Sequence, residues 1–502
     1  MRRLAAPLCV CLVSLLTAAP ARAADYTAGP SDYTSIVPTL AAGDTLTLEA
    51  GTYTDLLNIT DLNGTASEWI TITGPASGDP AVFVADPGPC CNTVEIRNSS
   101  YVAIRSITVD GDMVDGAFGL SAGGGTSNLV HHITVEDCSF MGHDAGQQTV
   151  AISTKTPTWG WTIRGNRIVG AGTGMYLGNS DGTSPFLASV VEYNLVMDTM
   201  GYNVQIKWQQ PRPDVAGMPT GPSSTIIRHN VFIKNDRASP SGDRPNLLVG
   251  GFPASGAGSE DIYEIYGNFF FHNPRESLLQ ASGRVTIHDN VFVDVTATAV
   301  TLQDHDLPLR LARVYNNTIY SAGRGISVSG TLDQGAWAVG NLIFSSTPVS
   351  GTWTEERDNM SDAVDQAHLY VSTPSLVLGE MDFYPLPGQC QGPALDLSAF
   401  SSDAEYDRDF NSTSKGGITF RGAYAGEGEN PGWQLDAGNK GEAAVVPPDE
   451  EPDGSSPDAA ADAPPDGPVE PGPDAADDGS TDGPEGDVDS GGASGCGCRL
   501  IL

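Results

Sequence analysis

An asparagine set between short apolar runs recurs through the middle of the chain, and this repeat constrains the fold more than any other feature. It stands at Asn166 in Ile-Arg-Gly-Asn-Arg-Ile-Val, at Asn194, at Asn230 in Ile-Arg-His-Asn-Val-Phe-Ile, and again at Asn268, Asn290, Asn317 and Asn341. Asp137, in Val-Glu-Asp-Cys-Ser-Phe, takes the slot one repeat earlier. From Asp137 onward the intervals are 29, 28, 36, 38, 22, 27 and 24 residues, a period that marks supersecondary units stacked on one another.

The segments flanking each asparagine alternate apolar and polar with period two and are rich in Val, Ile, Phe and Tyr, as in Val285-Thr-Ile-His-Asp-Asn290-Val-Phe-Val-Asp followed by Ala299-Val-Thr-Leu-Gln303. Helical repeats would space their apolar residues three and four apart, so these are strands. A rung of about 22 residues holds three strands with their turns, each pairing in parallel only with its copy in the next rung. The expected fold is all-β, a single-stranded right-handed parallel β-helix with three strands per rung. The asparagine itself is expected to take the left-handed turn conformation and to hydrogen-bond up the stack as a ladder.

Three regions follow from composition. Residues 1–23 carry a basic start, a short apolar run ending near Pro20, and Ala21-Arg-Ala23, the pattern of an export signal peptide, so a secreted or cell-surface location is expected. Residues 24–426 are the β-helix with its capping segments, a cap being required near residues 25 to 45 to cover the open strand edges. Residues 427–502 are rich in Pro, Asp, Ala and Gly, with nineteen acidic residues against Lys440 up to Gly495, and read as a disordered acidic spacer ending in Gly495-Cys-Gly-Cys498. Cys90 or Cys91 is a candidate to bridge Cys138, and no cysteine spacing suits zinc. A net charge of −37 argues against a nucleic-acid partner.

Leu40-Ala-Ala-Gly-Asp44-Thr-Leu-Thr-Leu-Glu-Ala-Gly51-Thr-Tyr53 resembles the opening coil of secreted pectin-lyase-like β-helix proteins. The segments Asp382-Phe-Tyr-Pro-Leu-Pro-Gly-Gln-Cys390, Ala394-Leu-Asp-Leu and Ile418-Thr-Phe-Arg-Gly422-Ala-Tyr are similar to the closing segment of the same superfamily. The acidic Pro-rich spacer before a Gly-Cys motif resembles the surface-sorting tails of myxobacterial exported proteins, although only Arg499-Leu-Ile-Leu follows it here. Gln205-Ile-Lys207 among repeating Asn turns resembles the chondroitinase-B-like and alginate lyases. That resemblance implies Lys207 as the base, with an Arg one rung on. Here the next strand reads Leu247-Leu248-Val249-Gly250, and the carboxylates that hold calcium in those enzymes have no counterpart beside Lys207. Calcium is therefore a cofactor that the resemblance suggests and no ligand cluster supports.

A β-helix interior is filled, so a ligand must lie on an outer face, most readily one walled by long turns. The two longest intervals carry such insertions, and they adjoin the strands Val204-Gln-Ile-Lys207 and Asn246-Leu-Leu-Val249. Alternation turns Val204 and Ile206 inward and Gln205 and Lys207 outward, with Lys155, Tyr176 and Gln303 on the same face. Trp208 and His305 adjoin it, and Arg244 and Arg275 precede their strands in adjacent rungs. Lys207, Arg244 and Arg275 are the expected catalytic set for proton abstraction beside a uronate carboxylate. Lys155, Tyr176, Gln205, Trp208, Gln303 and His305 are the expected substrate contacts. The expected role is a monomer acting on an acidic, uronate-containing polysaccharide by β-elimination; the alternative is a surface module that binds glycan without turnover.

Overall fold

The computed structural model describes residues 23–87, 92–273, 275–294 and 297–441. Three columns of parallel strands wind up one axis as a right-handed β-helix. Sheet one holds the strand before each asparagine, for example Val190–Glu192, Ser224–Arg228 and Ile262–Tyr266. Sheet two holds the strand after it, such as Leu195–Met197, Val231–Ile233 and Phe269–Phe271. Sheet three closes the rung with strands such as Thr173–Leu177, Val204–Ile206 and Leu247–Val249. Near the end of the stack, Thr318–Val328 and Leu342–Ser350 run without a break through sheets two and three. Phe232, Phe270 and Phe292 fill the interior, their rings tilted or stacked at 5.1 and 4.7 Å between centroids. The first rung is capped by the short helix Tyr33–Ile36, whose buried Tyr33 meets Tyr53 and Phe83 edge-on.

The turn between sheets one and two is built around a buried amide ladder. Each Oδ1 of Asn194, Asn230, Asn268, Asn290, Asn317 and Asn341 accepts from both the backbone N–H and the Nδ2 of the preceding asparagine, at 2.9–3.1 Å. Each Nδ2 also donates to a strand carbonyl of the rung before, as Asn268 does to Ile227. The ladder continues to Asn359, which the repeat had not included. Two expectations are corrected. The left-handed residue is the one before each asparagine, among them Gly165, Tyr193, His229, Gly267, Asp289, Asn316 and Gly340. The slot assigned to Asp137 belongs to Cys138, whose N–H donates to Asn166 Oδ1; Asp137 is the left-handed residue there.

Sheet one carries a second ladder on its outer side. Arg105, Glu136, Arg164, Glu192 and Arg228 lie level in successive rungs and alternate in sign, each ion-paired to the next at 2.7–3.8 Å. Above them stack the rings of Tyr266, His288 and Tyr315, closed by Phe400 at 4.6 Å.

Phe400 belongs to a C-terminal arm that leaves the last rung near residue 363 and returns along the solenoid. The arm covers the apolar outer side of sheet two, where Leu195, Val231, Phe269 and Val293 meet Val371, Phe383, Phe410, Tyr424 and Leu435. Its packing continues beyond 426, which moves the boundary placed there. Leu435 is buried, Trp433 meets Phe269, and Asn439 Nδ2 donates to the carbonyls of Gly165, Asn166 and Tyr193. Lys440 buries its amine against Gly267 O and the Phe410 ring. The folded part therefore includes residues 427–441, because apolar and hydrogen-bonding groups inside that acidic stretch find partners on the turns. The proposed leader, but for Ala23, and the chain from 442 lie outside the described residues, as do Cys90 and Cys91. Cys138 is buried, its thiol directed at the Glu136 carbonyl.

Two outcomes follow. Asn268→Ala leaves the Asn230 N–H without its partner in a dry site and removes the amide's bonds to Ile227 O and Asn290 Oδ1, and is expected to cost about 3 kcal/mol in urea unfolding. Ending the chain after 426 rather than after 441 is expected to lower the melting temperature by several degrees, since burial of Leu435 alone is worth about 2 kcal/mol.

Candidate functional site

Sheet three presents its outward residues in register, one per rung: Ser153, Tyr176, Gln205, Leu248, Gln280 and Thr301. Two positions beyond Ser153 and Gln205 come Lys155 and Lys207, which flank the rung of Tyr176 from either side. Their amines lie 5.3 and 5.9 Å from the Tyr176 ring centroid. Lys155 also lies 5.4 Å from the ring of Phe118, a residue the sequence reading had not included. The two amines thus face one aromatic surface from rungs about 10 Å apart. Gln205 sits in this row but is buried between its neighbours, so it supports the surface without contributing an open amide.

Two loops wall the strip. On one side Trp208 rests against Gly182 and donates from Nε1 to Ser180 O at 3.0 Å, which brings Asp181 and Ser180 to the rim. On the other side the turn 304–308 folds back over the sheet. Gly251 permits this: a Cβ there would lie 2.5 Å from Leu307 Cβ. The turn carries His305 and Asp306, joined at 2.9 Å, toward Lys207. Gln303 is partly exposed on the same face, three rungs from Lys207.

Charge in this cluster is coupled. Burial lowers the Lys155 amine below the usual lysine range. Burial, with Asp181 and Asp306 adding to it and a Ser180 hydrogen bond opposing, pushes the Tyr176 phenol up to about 12. The hydrogen bond from His305, and then the nearby Lys207, hold the Asp306 carboxyl below the usual range. At neutral pH the strip therefore offers a protonated phenol between two amines, one of them easier than usual to deprotonate.

Arg244 and Arg275 are not part of it. Lys207 lies level with Gly250, six residues beyond Arg244 along the strand direction, about 20 Å at roughly 3.3 Å per residue. At that far corner Arg244 lies over Tyr202 and donates to the carbonyls of Asp243 and Ser241, while Arg275 pairs with Asp243 at 3.9 Å. Beneath them Lys234 is buried with its amine on Arg244 O, and burial pushes it down to about 8. The expected trio of Lys207, Arg244 and Arg275 is thus divided between two corners, because residues before and after a strand end at opposite edges of the sheet. Among the described residues no group of three or more His, Cys, Asp or Glu side chains is arranged to hold a metal ion.

The long insertion after Trp208 is pinned by Arg212, which pairs with Asp261 and donates to Pro219 O, Gly221 O and Ser223 Oγ. Sequence spacing marked this insertion as a wall but gave no sign of what held it.

No protein-family model and no curated protein matches the chain. Solved structures of similar shape include the PL6 family alginate lyase AlyGC, at 11% identity and a TM-score of 0.44 over 72% of this chain and 55% of that one. The chain thus spans about half of AlyGC. Pectate lyase Pel9A aligns at 13% identity and a TM-score of 0.42 over 80% of this chain and 96% of that one. The Azotobacter vinelandii mannuronan C-5 epimerase AlgE6 A-module aligns at 15% identity and a TM-score of 0.45, over 65% and 93% respectively. At such identities the likeness is one of fold.

Arg212→Ala is expected to destabilise the chain by about 3–5 kcal/mol, because Asp261 would stay buried without its cation. Thermal unfolding checks the size of the loss, and limited proteolysis of the loop after Trp208 locates it.

Proposed function

We propose that the chain is an exported, carbohydrate-active β-helix protein that takes an acidic, uronate-containing polysaccharide along the outer face of sheet three. The observation that carries this reading is the pair of lysine amines set over one tyrosine ring on a walled, partly exposed strip of an otherwise acidic protein. Ammonium groups pair with uronate carboxylates, and the Tyr176 and Trp208 rings offer flat apolar surface to a sugar face.

The same residues suit β-elimination. Lys207 would pair with the carboxylate and stabilise the anion that forms on the adjacent carbon. Lys155, whose amine gives up its proton more readily than a solvated lysine, would take the proton from that carbon. The neighbouring carbon–oxygen bond then breaks as the double bond forms, and the Tyr176 phenol gives its proton to the leaving oxygen. Lys155 replaces Lys207 as the base, and the arginines have no part. Leu248, standing where the resemblance called for an arginine, favours a second reading in which glycan is bound but not cut.

Uronate polymers tested for release of unsaturated, ultraviolet-absorbing product separate the two readings. Elimination is expected to rise with pH as Lys155 loses its proton and to fall at higher pH, where the protons that Lys207 and Tyr176 must hold are lost. Lys207→Ala is expected to weaken binding about tenfold, or about 1.4 kcal/mol, with an unchanged melting temperature, whereas Arg244→Ala leaves binding unaltered. Added salt weakens the wild-type interaction. Equal affinity of Lys207→Ala and the unmutated chain would remove sheet three as the glycan face.

A further inference from the structure

The C-terminal arm meets the solenoid at a group of side chains that the sheet-three strip does not use. Asp289 and Asn316 are the left-handed residues just before Asn290 and Asn317 of the ladder, so successive turns present a carboxyl and a carboxamide side by side. Lys415 of the arm reaches both. Its Nζ lies 2.7 Å from Asp289 Oδ2 and 3.3 Å from Asn316 Oδ1, with a third contact to Tyr406 O at 2.9 Å. Relative exposures of 7% for Lys415, 2% for Asp289 and 1% for Asn316 hold the group away from bulk solvent. The Tyr315 ring lies 5.6 Å from the amine, and Phe420 and Tyr424 complete an apolar wall.

An ion pair alone explains the Lys415–Asp289 contact, but three features go beyond it. The Asn316 Oδ1 accepts from the same amine at 3.3 Å, so the carboxamide carbon lies one C=O bond beyond that contact. Asp289 Oδ1 is buried without a hydrogen-bond partner, leaving an oxygen free to carry a proton toward the amide. A cavity of about 10 Å³ lined by Asn316 and Lys415 adjoins the group, room for roughly one small molecule.

We propose that Lys415 and Asn316 become joined by an intramolecular isopeptide bond, with Asp289 as the proton carrier, fastening the arm covalently to the solenoid. The ammonium of Lys415 passes a proton to Asp289, and the free amine attacks the carboxamide carbon of Asn316. Asp289 lends its proton to the amide as the tetrahedral carbon forms. The bond from that carbon to Nδ2 breaks, the new bond to Nζ stays, and one ammonia leaves with the proton, so no oxidant or cofactor is needed. Burial pushes the Asp289 carboxyl up to about 8 against the pull of Lys415, which suits a group that must hold a proton in this step. His288 Nδ1, 2.7 Å from Asp289 Oδ2, is held down to about 3, chiefly by burial and then by Lys415, and so is neutral beside it.

The test is a tryptic digest of the purified, reduced full chain followed by mass spectrometry. The expected product is a branched peptide joining residues 314–324 to 409–421, uncut at Lys415 and lighter than its two parts by one ammonia. Asn316→Ala retains the Lys415–Asp289 pair and is expected to give 314–324 and 409–415 as separate peptides. Recovery of those separate peptides at full mass from the folded wild-type chain would overturn the proposal. So would a branch from Lys415 to peptide 285–310 with loss of one water, because the acceptor would then be Asp289.

Discussion

The buried asparagine ladder is the interaction on which the rest of the structure depends. A three-sided coil must turn sharply three times per rung, and each turn leaves backbone groups that no strand can satisfy. At the turn from sheet one to sheet two, one amide per rung settles the matter. Its oxygen takes the N–H of the rung before, and its nitrogen gives to a strand carbonyl and to the next amide. An aliphatic side chain of equal size would fill the space and leave the N–H of the rung before without its partner. Strand pairing on either side is thereby held level, and only because it is level do Lys155, Tyr176 and Lys207 meet.

Much of this was legible in the residues. Period-two alternation between recurring asparagines led directly to parallel coils, and alternation alone turned Lys155, Tyr176 and Lys207 to one face. What alternation does not carry is position along the strand. Arg244 and Arg275 stand before their strands and Lys207 after its own, so a shared face still left them at opposite edges. The return of His305 and Asp306 across the sheet depends on the bare backbone of Gly251, a packing fact with no local signature. Asn359 escaped notice because only 18 residues separate it from Asn341, fewer than any interval in the series.

The arm shows where composition misleads. Glu427 to Gly441 reads as the start of an acidic spacer, yet Trp433, Leu435, Asn439 and Lys440 lie within it and dock on the turns. Sheet two, with Val231, Phe269 and Val293 pointing outward, would otherwise expose a broad apolar face. Average polarity over a window hides a few anchoring residues, and those anchors are what a covering segment needs. Covering sheet two also leaves sheet three as the face on which the partly exposed aromatic and basic residues gather.

Every rung of a solenoid resembles the next, and a chain of this kind is exposed to a particular error during folding: a strand can dock one rung out of place and still bury its side chains. The asparagines offer no protection, since an amide meets an amide whichever two turns come together. The alternating Arg105, Glu136, Arg164, Glu192 and Arg228 column does distinguish them. A displacement of one rung sets arginine level with arginine and glutamate with glutamate, while the correct phase sets each against its opposite. Exposed ion pairs of this sort add little to final stability, but a penalty repeated over five rungs acts on the choice between phases. The column thus serves as a counting device, telling odd rungs from even ones while the chain winds.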